Sequence, residues 1–355
     1  MTAENRGLLF IPDISGFTRF INELEISHSR LIIQELLEVL INSNTTGLEI
    51  SEIEGDAILF YKFGKSPELG EIYSQVEKMF CEFHKQLISY DNRKYCHCKA
   101  CLAAINLTLK VITHYGEFTG FNIKNFNKLI GKDVIVAHQL LKNDIPQHEY
   151  WLVTDNLSQN HAPLVLTGWM EWKSSVKKTE DYEIPFHYTQ LGPLRNEITP
   201  DPLPALDLSG KVKVISLTEN YDCDIIRLFH ASGDFNYRHR WQEGVKSVQE
   251  VGHFLPRIGM RCRCILESGQ EILTAVSYSY SSERIEFSET DECNNHVTHY
   301  ILEKTGENKS RLTIEYYLTK DVNGETKSRL FDKKKTEDSF KRSMENLKEL
   351  VKEDI

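Results

Sequence analysis

Three prolines, Pro200, Pro202 and Pro204, fall within residues 194–210, between two long stretches of regular apolar patterning. Proline fixes φ and lacks an amide donor, so such a run suits an extended connector better than the interior of a helix or sheet. It divides the chain into residues 1–193 and 211–355, with 194–210 as the linker. Length agrees with this division, because 355 residues exceed what one core ordinarily fills.

Before the linker the order reads strand (7–12), long helix (18–42), hairpin (48–63), helix (71–90), strand (102–113) and helix (132–142), an α+β pattern. Ile72, Val76, Phe80, Phe83 and Leu87 recur at helical spacing, whereas Ile105, Leu107, Leu109 and Val111 alternate as in a half-buried strand. After the linker come a strand (211–217), a short helix (222–230), several strands between residues 248 and 318, and a closing helix (336–352). Phe340, Met344, Leu347 and Val351 share one face of that last helix, the pattern of a helix lying on a sheet.

No apolar run approaches the roughly 20 residues of a membrane span, and residues 1–7 lack the pattern of a signal peptide. A cytoplasmic location is expected, with the eight cysteines as thiols or metal ligands rather than disulfides. A formal net charge of -10 argues against a nucleic-acid partner, which needs a basic surface.

Two short runs carry the chemistry. In Phe10-Ile11-Pro12-Asp13-Ile14-Ser15-Gly16-Phe17-Thr18 an aspartate ends an apolar strand, and a small-residue turn opens a helix whose first amides favour a phosphate. In Ile53-Glu54-Gly55-Asp56-Ala57 a Gly-Asp turn projects a second carboxylate from a hairpin. Two such carboxylates suit the divalent ions of phosphoryl chemistry.

In this order the runs resemble the class III adenylyl and guanylyl cyclases, whose domain has a first strand ending in Asp-Ile-x-Gly-Phe-Thr and then a hairpin bearing Gly-Asp. The likeness continues through His114-Tyr115-Gly116-Glu117, the helix at 131–141 and the strand at 150–155. It implies a ferredoxin-like βαββαβ domain holding Mg or Mn through Asp13, Asp56 and the Ile14 backbone carbonyl. The nucleotide would lie against Ser15, Gly16, Phe17, Thr18 and Gly55.

The chain departs from the family at its other catalytic positions. The helix pattern Val-Asn-x-Ala-x-Arg, aligned on Val134, places Ile135 at the asparagine and Gln139 at the arginine. Neither side chain supplies the ribose hydrogen bond or the charge stabilisation of the originals. Glu52 stands at the base-reading lysine and Lys128 at its acidic partner, a reversed pair whose plainer reading is an ordinary surface ion pair. Three functions follow: a nucleotide-binding sensor without full cyclase activity, the metal-giving subunit of a heterodimeric cyclase, or a homodimeric cyclase of altered base specificity.

Cys96, Cys98 and Cys101 crowd a short turn, where zinc binding would need a fourth ligand such as Cys81, His84 or His97. The chain also resembles an uncharacterised bacterial family in which such a turn precedes a cyclase-like strand and a helix bearing His-Arg-Leu-Leu-Lys-Asn, here His138-Gln139-Leu140-Leu141-Lys142-Asn143.

Residues 211–355 are similar in pattern to START-like (SRPBCC) domains, a helix-grip antiparallel sheet with a long C-terminal helix. The resemblance implies an apolar cavity for a hydrophobic small molecule, with Trp241, Phe254, Met260, Tyr278, Phe287 and Tyr316 as candidate lining. Arg238, His239 and Arg240 read as a solvated basic turn, or as the receiver of an anionic headgroup. Fusion of the two halves suggests a sensor.

Overall fold

The computed structural model describes residues 5–22, 26–94, 96, 98–124, 126–158, 163, 165–179, 182–200, 202, 205–251, 258–267, 269–320 and 331–353. Its contacts form two compact units, Met1–Asp91 with Cys98–Asp201, and Asn92–His97 with Pro202–Ile355.

The first unit is α+β. In chain order it holds β1 (Arg6–Ser15), α1 (Phe17–Asn22), α2 (Ile26–Asn42), β2 (Glu49–Glu54), β3 (Ala57–Phe63), α3 (Leu69–Arg93), α4 (Lys99–Ala103), β4 (Thr108–Glu117), β5 (Thr119–Ile123), β6 (Phe126–Ile130), α5 (Lys132–Leu141), β7 (Tyr150–Thr154), β8 (Lys173–Lys178) and β9 (Glu183–Gln190). Seven strands form one sheet in the order β2-β3-β1-β4-β7-β9-β8, with β5 and β6 as a separate hairpin. Strand β1 lies between β3 and β4, antiparallel to both, and Leu8, Leu9, Phe10, Ile11 and Ile14 are all buried. That two-sided burial explains its nearly unbroken apolar sequence.

The helical face read from the sequence is inside, since Ile72, Val76, Phe80, Phe83 and Leu87 of α3 are buried. The strand expected from residue 102 starts later. Lys99–Ala103 is helical, a 3-10 turn covers Ala104–Asn106, and β4 begins at Thr108. The Cys98 side chain caps α4 by accepting the Cys101 amide, a local bond that competes with extension. Alternating apolar residues did not reveal where that competition ends.

The second unit contains β10 (Lys211–Tyr221), α6 (Ile225–Gly233), α7 (Arg238–Trp241), β11 (Val245–Glu250), β12 (Arg261–Leu266), β13 (Gly269–Tyr280), β14 (Arg284–Asp291), β15 (His296–Gly306), β16 (Lys309–Thr319) and α8 (Lys333–Leu350). Its sheet is antiparallel throughout, ordered β10-β16-β15-β14-β13-β12-β11. Asp224 caps α6 by accepting the Ile226 and Arg227 amides, each at 3.0 Å, and Asp332 caps α8 at the Lys335 amide. Met344, Leu347, Leu350 and Val351 enter the core beside Leu228, Phe287 and Tyr300. The apolar face of α8 is thus the lid of this core.

Arg238 departs from its expectation as part of a solvated basic turn. It is fully buried and ion-pairs with Glu289, while Gln242 Oε1 accepts a further bond at 2.9 Å. The rings of Phe235 and Trp241 lie 4.9 and 5.4 Å from the guanidinium carbon. Arginine's planar, weakly hydrated head tolerates such a place when it is paired and stacked. Among the described residues no helix is long and apolar enough to cross a membrane.

Candidate functional site

Asp13 sits near the end of β1, in register with Ala57 of β3 and Lys110 of β4. Asp56 belongs to the two-residue turn joining β2 to β3, since Glu54 and Ala57 are paired. Gly55 takes a φ of 63°, as the first central residue of a II′ turn requires, and a side chain there would be strained. The Ile14 amide donates to the Asp56 carbonyl at 3.1 Å, which fixes the turn against the strand end. Two residues 43 positions apart in sequence therefore meet.

Burial acts on both carboxyls, and Asp56 also feels the charge of Asp13. Burial raises the Asp13 pKa, opposed by the Lys110 ammonium 3.4 Å from Oδ1. Asp56 is pushed up to about 6, first by burial and then by the negative charge of Asp13, against its own backbone hydrogen bond and Lys110. Like charges held together out of water resist joint ionisation. A divalent cation relieves that repulsion, and hard carboxylate oxygens are the ligands magnesium and manganese prefer. The donor set fits such an ion.

The two aspartates open on a cleft of about 1270 Å³, and Ile14, Ser15, Gly16, Phe17, Thr18 and Gly55 lie on its wall. Ser15 Oγ is buried there without a hydrogen-bond partner, a polar atom that a ligand oxygen would satisfy. Across the cleft stand Ile135, Gln139 and His138 of α5. Ile135 is 57% exposed, and Gln139 accepts a hydrogen bond from the Tyr182 hydroxyl at 2.9 Å. Glu52 also lines the cleft and is ion-paired with Lys128, with His138 Nε2 at 3.7 Å from its other oxygen. The reversed charges read from the sequence therefore meet one another.

Lys110 was not among the residues singled out from sequence. Its signal was present, because it is the one charged residue in the apolar alternation of residues 107–113. The His-x-Gly-Glu run serves as a fastener. His114 Nε2 lies 2.9 Å from Asp133 Oδ1 and Nδ1 lies 2.8 Å from Thr154 Oγ1, while the Glu117 amide donates to Asp133 Oδ2 at 2.6 Å. Burial would raise the Asp133 pKa, but these bonds hold it below the usual carboxylate value. Gly116 is required by the approach of that carboxylate, whose carbon would lie 2.2 Å from an added Cβ. The contact seats the first turn of α5 against β4.

In the second unit, Trp241, Met260 and Phe287 are buried in the core and Tyr278 packs against it. Tyr316 lines a separate cavity of about 160 Å³ whose wall includes Arg238, Glu271, Glu289 and His296. Phe254 lies outside the described residues. Of the candidates named, Tyr316 lines this polar-walled cavity, and the other described ones pack in or against the core.

The cysteine turn is brought together with His28, and none of the eight cysteines is in a disulfide. His84, expected as a fourth ligand, instead lies 3.1 Å from Glu149 and against Phe80. Cys81 is outside the cluster, and His97 is outside the described residues.

Residues 33–150 match the family described as a protein of unknown function (DUF2652). An uncharacterised protein of Mycobacterium tuberculosis is 31% identical over 125 residues, which are 35% of this chain; the chain spans 58% of that relative's length. Among solved structures, a bacterial light-regulated adenylyl cyclase is similar with a TM-score of 0.39 and 15% identity, over 54% of this chain and 97% of that one. The adenylyl cyclase CyaB of P. aeruginosa (0.33, 16% identity, 52% and 93%) and the guanylyl cyclase domain of a fusion protein from the aquatic fungus Blastocladiella emersonii (0.36, 12%, 52% and 96%) are also similar. Values this low do not reach the chemistry, which rests on the residues above.

Proposed function

We propose that the first unit binds a nucleoside triphosphate together with Mg or Mn at the cleft between β1, the β2–β3 turn and α5, and turns it over poorly or not at all as a single chain. The observation that carries this reading is the convergence of Asp13 and Asp56, close enough for one charge to raise the other's pKa. A divalent ion held there would neutralise phosphate charge. Around it, Ser15 offers an unpartnered hydroxyl, and Lys110 offers an ammonium that can leave Asp13 for a phosphate oxygen. The opposite wall has Ile135 and Gln139, which cannot stabilise charge developing on a transferring phosphoryl group. Binding exceeds catalysis in such a site.

A second reading has one specific support. Ile53, Ile130 and Ile135 are 49%, 57% and 57% exposed on elements beside the cleft, β2, β6 and α5. Exposed apolar side chains beside a charged cleft fit an interface, either with a partner subunit that supplies the missing arginine and asparagine or with a second copy that uses other residues in their place. Incubation of the purified chain with each nucleoside triphosphate and Mn, measuring bound nucleotide and cyclic product, separates the readings. Metal-dependent binding without product supports the sensor; strong product formation lost in Asp13→Ala supports an active homodimer.

For the second unit, the helix-over-sheet order of β10, α6, α7, β11–β16 and α8 supports a START-like ligand-binding role. The ion pair and ionisable groups around its 160 Å³ cavity favour a small polar ligand over the apolar one expected from sequence. In this reading, ligand there regulates the nucleotide site, and the chain is a cytoplasmic sensor in signalling.

A further inference from the structure

The turn before β4 brings three thiols to one imidazole. His28 Nδ1, from α2, lies 3.5 Å from Cys98 Sγ and 3.4 Å from Cys101 Sγ. Cys96 precedes Cys98 by two residues, and the ligand atoms of all four lie within 4.8 Å of one another. Zinc–sulfur and zinc–nitrogen bonds of about 2.3 and 2.0 Å, set at tetrahedral angles, place ligand sulfur and nitrogen about 3.5 Å apart. The separations of His28 from Cys98 and Cys101 match that spacing.

We infer that His28, Cys96, Cys98 and Cys101 form a structural zinc site of the Cys₃His type, independent of the nucleotide reading. Three further features fit a closed metal centre. Cys96 and Cys101 are buried, at 7% and 0% exposure, which excludes a solvent ligand from their side of the site. The Cys101 amide donates to Cys98 Sγ at 3.5 Å, and the Tyr90 hydroxyl donates to Cys101 Sγ at 2.9 Å. Donors aimed at sulfur stabilise the thiolate, the form that binds a soft cation, and they orient it. Four protein ligands leave no open position, so the ion would be structural rather than catalytic.

The ligands join distant parts of the chain. His28 stands near the start of α2, just beyond the segment that follows Asp13, whereas Cys98 and Cys101 flank α4, just before the strand carrying Lys110. A metal clasp here ties both approaches to the cleft. Cys98-Lys99-Ala100-Cys101 has no second Cys-x-x-Cys to complete a knuckle, because the fourth ligand, His28, comes from 68 residues before Cys96.

The test is metal content of the full chain expressed with added zinc, together with Co(II) titration of chelator-stripped protein. About one zinc per chain is expected, and cobalt should give tetrahedral d–d bands with a sulfur-to-metal charge-transfer band. His28→Ala and Cys98→Ser should each lower zinc content at least about tenfold, while Cys81→Ser retains it. Absence of zinc and of the cobalt bands in the wild-type chain overturns the site, whether or not the variants fold. Full zinc retention by His28→Ala, or loss by Cys81→Ser equal to that by Cys98→Ser, overturns the ligand assignment.

Discussion

Lys110 Nζ lies 3.4 Å from Asp13 Oδ1, so a cation from the chain already stands beside one of the two carboxyls that face the cleft. The lysine lowers the charge penalty of holding Asp13 and Asp56 together, and it competes with any divalent ion they hold. Removing it therefore has a signed consequence. Lys110→Met should bind Mn(II) alone about tenfold more tightly, a change of about 1.4 kcal/mol, as read by titration calorimetry.

The raised pKa of Asp56, about 6, makes metal binding depend on pH. Protons and metal compete for this carboxyl, so Mn(II) affinity should fall as pH drops from 7.5 to 5, steepest near pH 6. For metal-free protein the sign reverses. A carboxyl whose folded pKa exceeds its unfolded value of about 3.8 makes the native state bind more protons between the two values, so its contribution to stability declines as pH rises from about 4 to 6. Asp56→Asn should flatten the thermal melting profile over that window.

Gly116→Ala should destabilise the first unit by about 1–3 kcal/mol in chemical denaturation, because its Cβ would overlap the Asp133 carboxyl. Asp133→Asn tests the same fastener from the other side. Its depressed pKa stabilises the fold above the ordinary carboxylate range and is lost as pH falls through the folded value, so the variant should lose the acid-limb dependence that Asp133 provides.

Glu289→Ala leaves the fully buried Arg238 without its carboxylate and should cost about 3–5 kcal/mol. The double variant Arg238→Met with Glu289→Leu removes both charges and should recover much of that loss. Equilibrium unfolding of the three proteins measures the difference.

Much of this arrangement is legible in the sequence because local signals and tertiary demands agree. The apolar run of β1 ends at Asp13, and Gly55 marks a turn only a few conformations can make, so both carboxyls could be placed at strand ends before their meeting was visible. The helical face of α3 was equally plain. Register was not: nothing in residues 107–113 says that Lys110 pairs across to Asp13, since pairing depends on which strands become neighbours. His28 was hidden for the same reason, being remote in sequence from the cysteines it meets. Arg238 misled because a run of three basic residues looks solvated unless Glu289, on a strand still unplaced, is known to face it.

Mn(II)-dependent nucleotide binding, read by titration calorimetry in the wild-type chain, Asp13→Asn and Asp56→Asn, tests whether the two carboxyls hold a metal for a nucleotide. A metal site shared by the two carboxyls predicts saturable binding of a nucleoside triphosphate in the presence of Mn(II), weakened at least about tenfold by either substitution, about 1.4 kcal/mol or more. Nucleotide binding that is equally tight without metal, or unchanged in both variants, would contradict it.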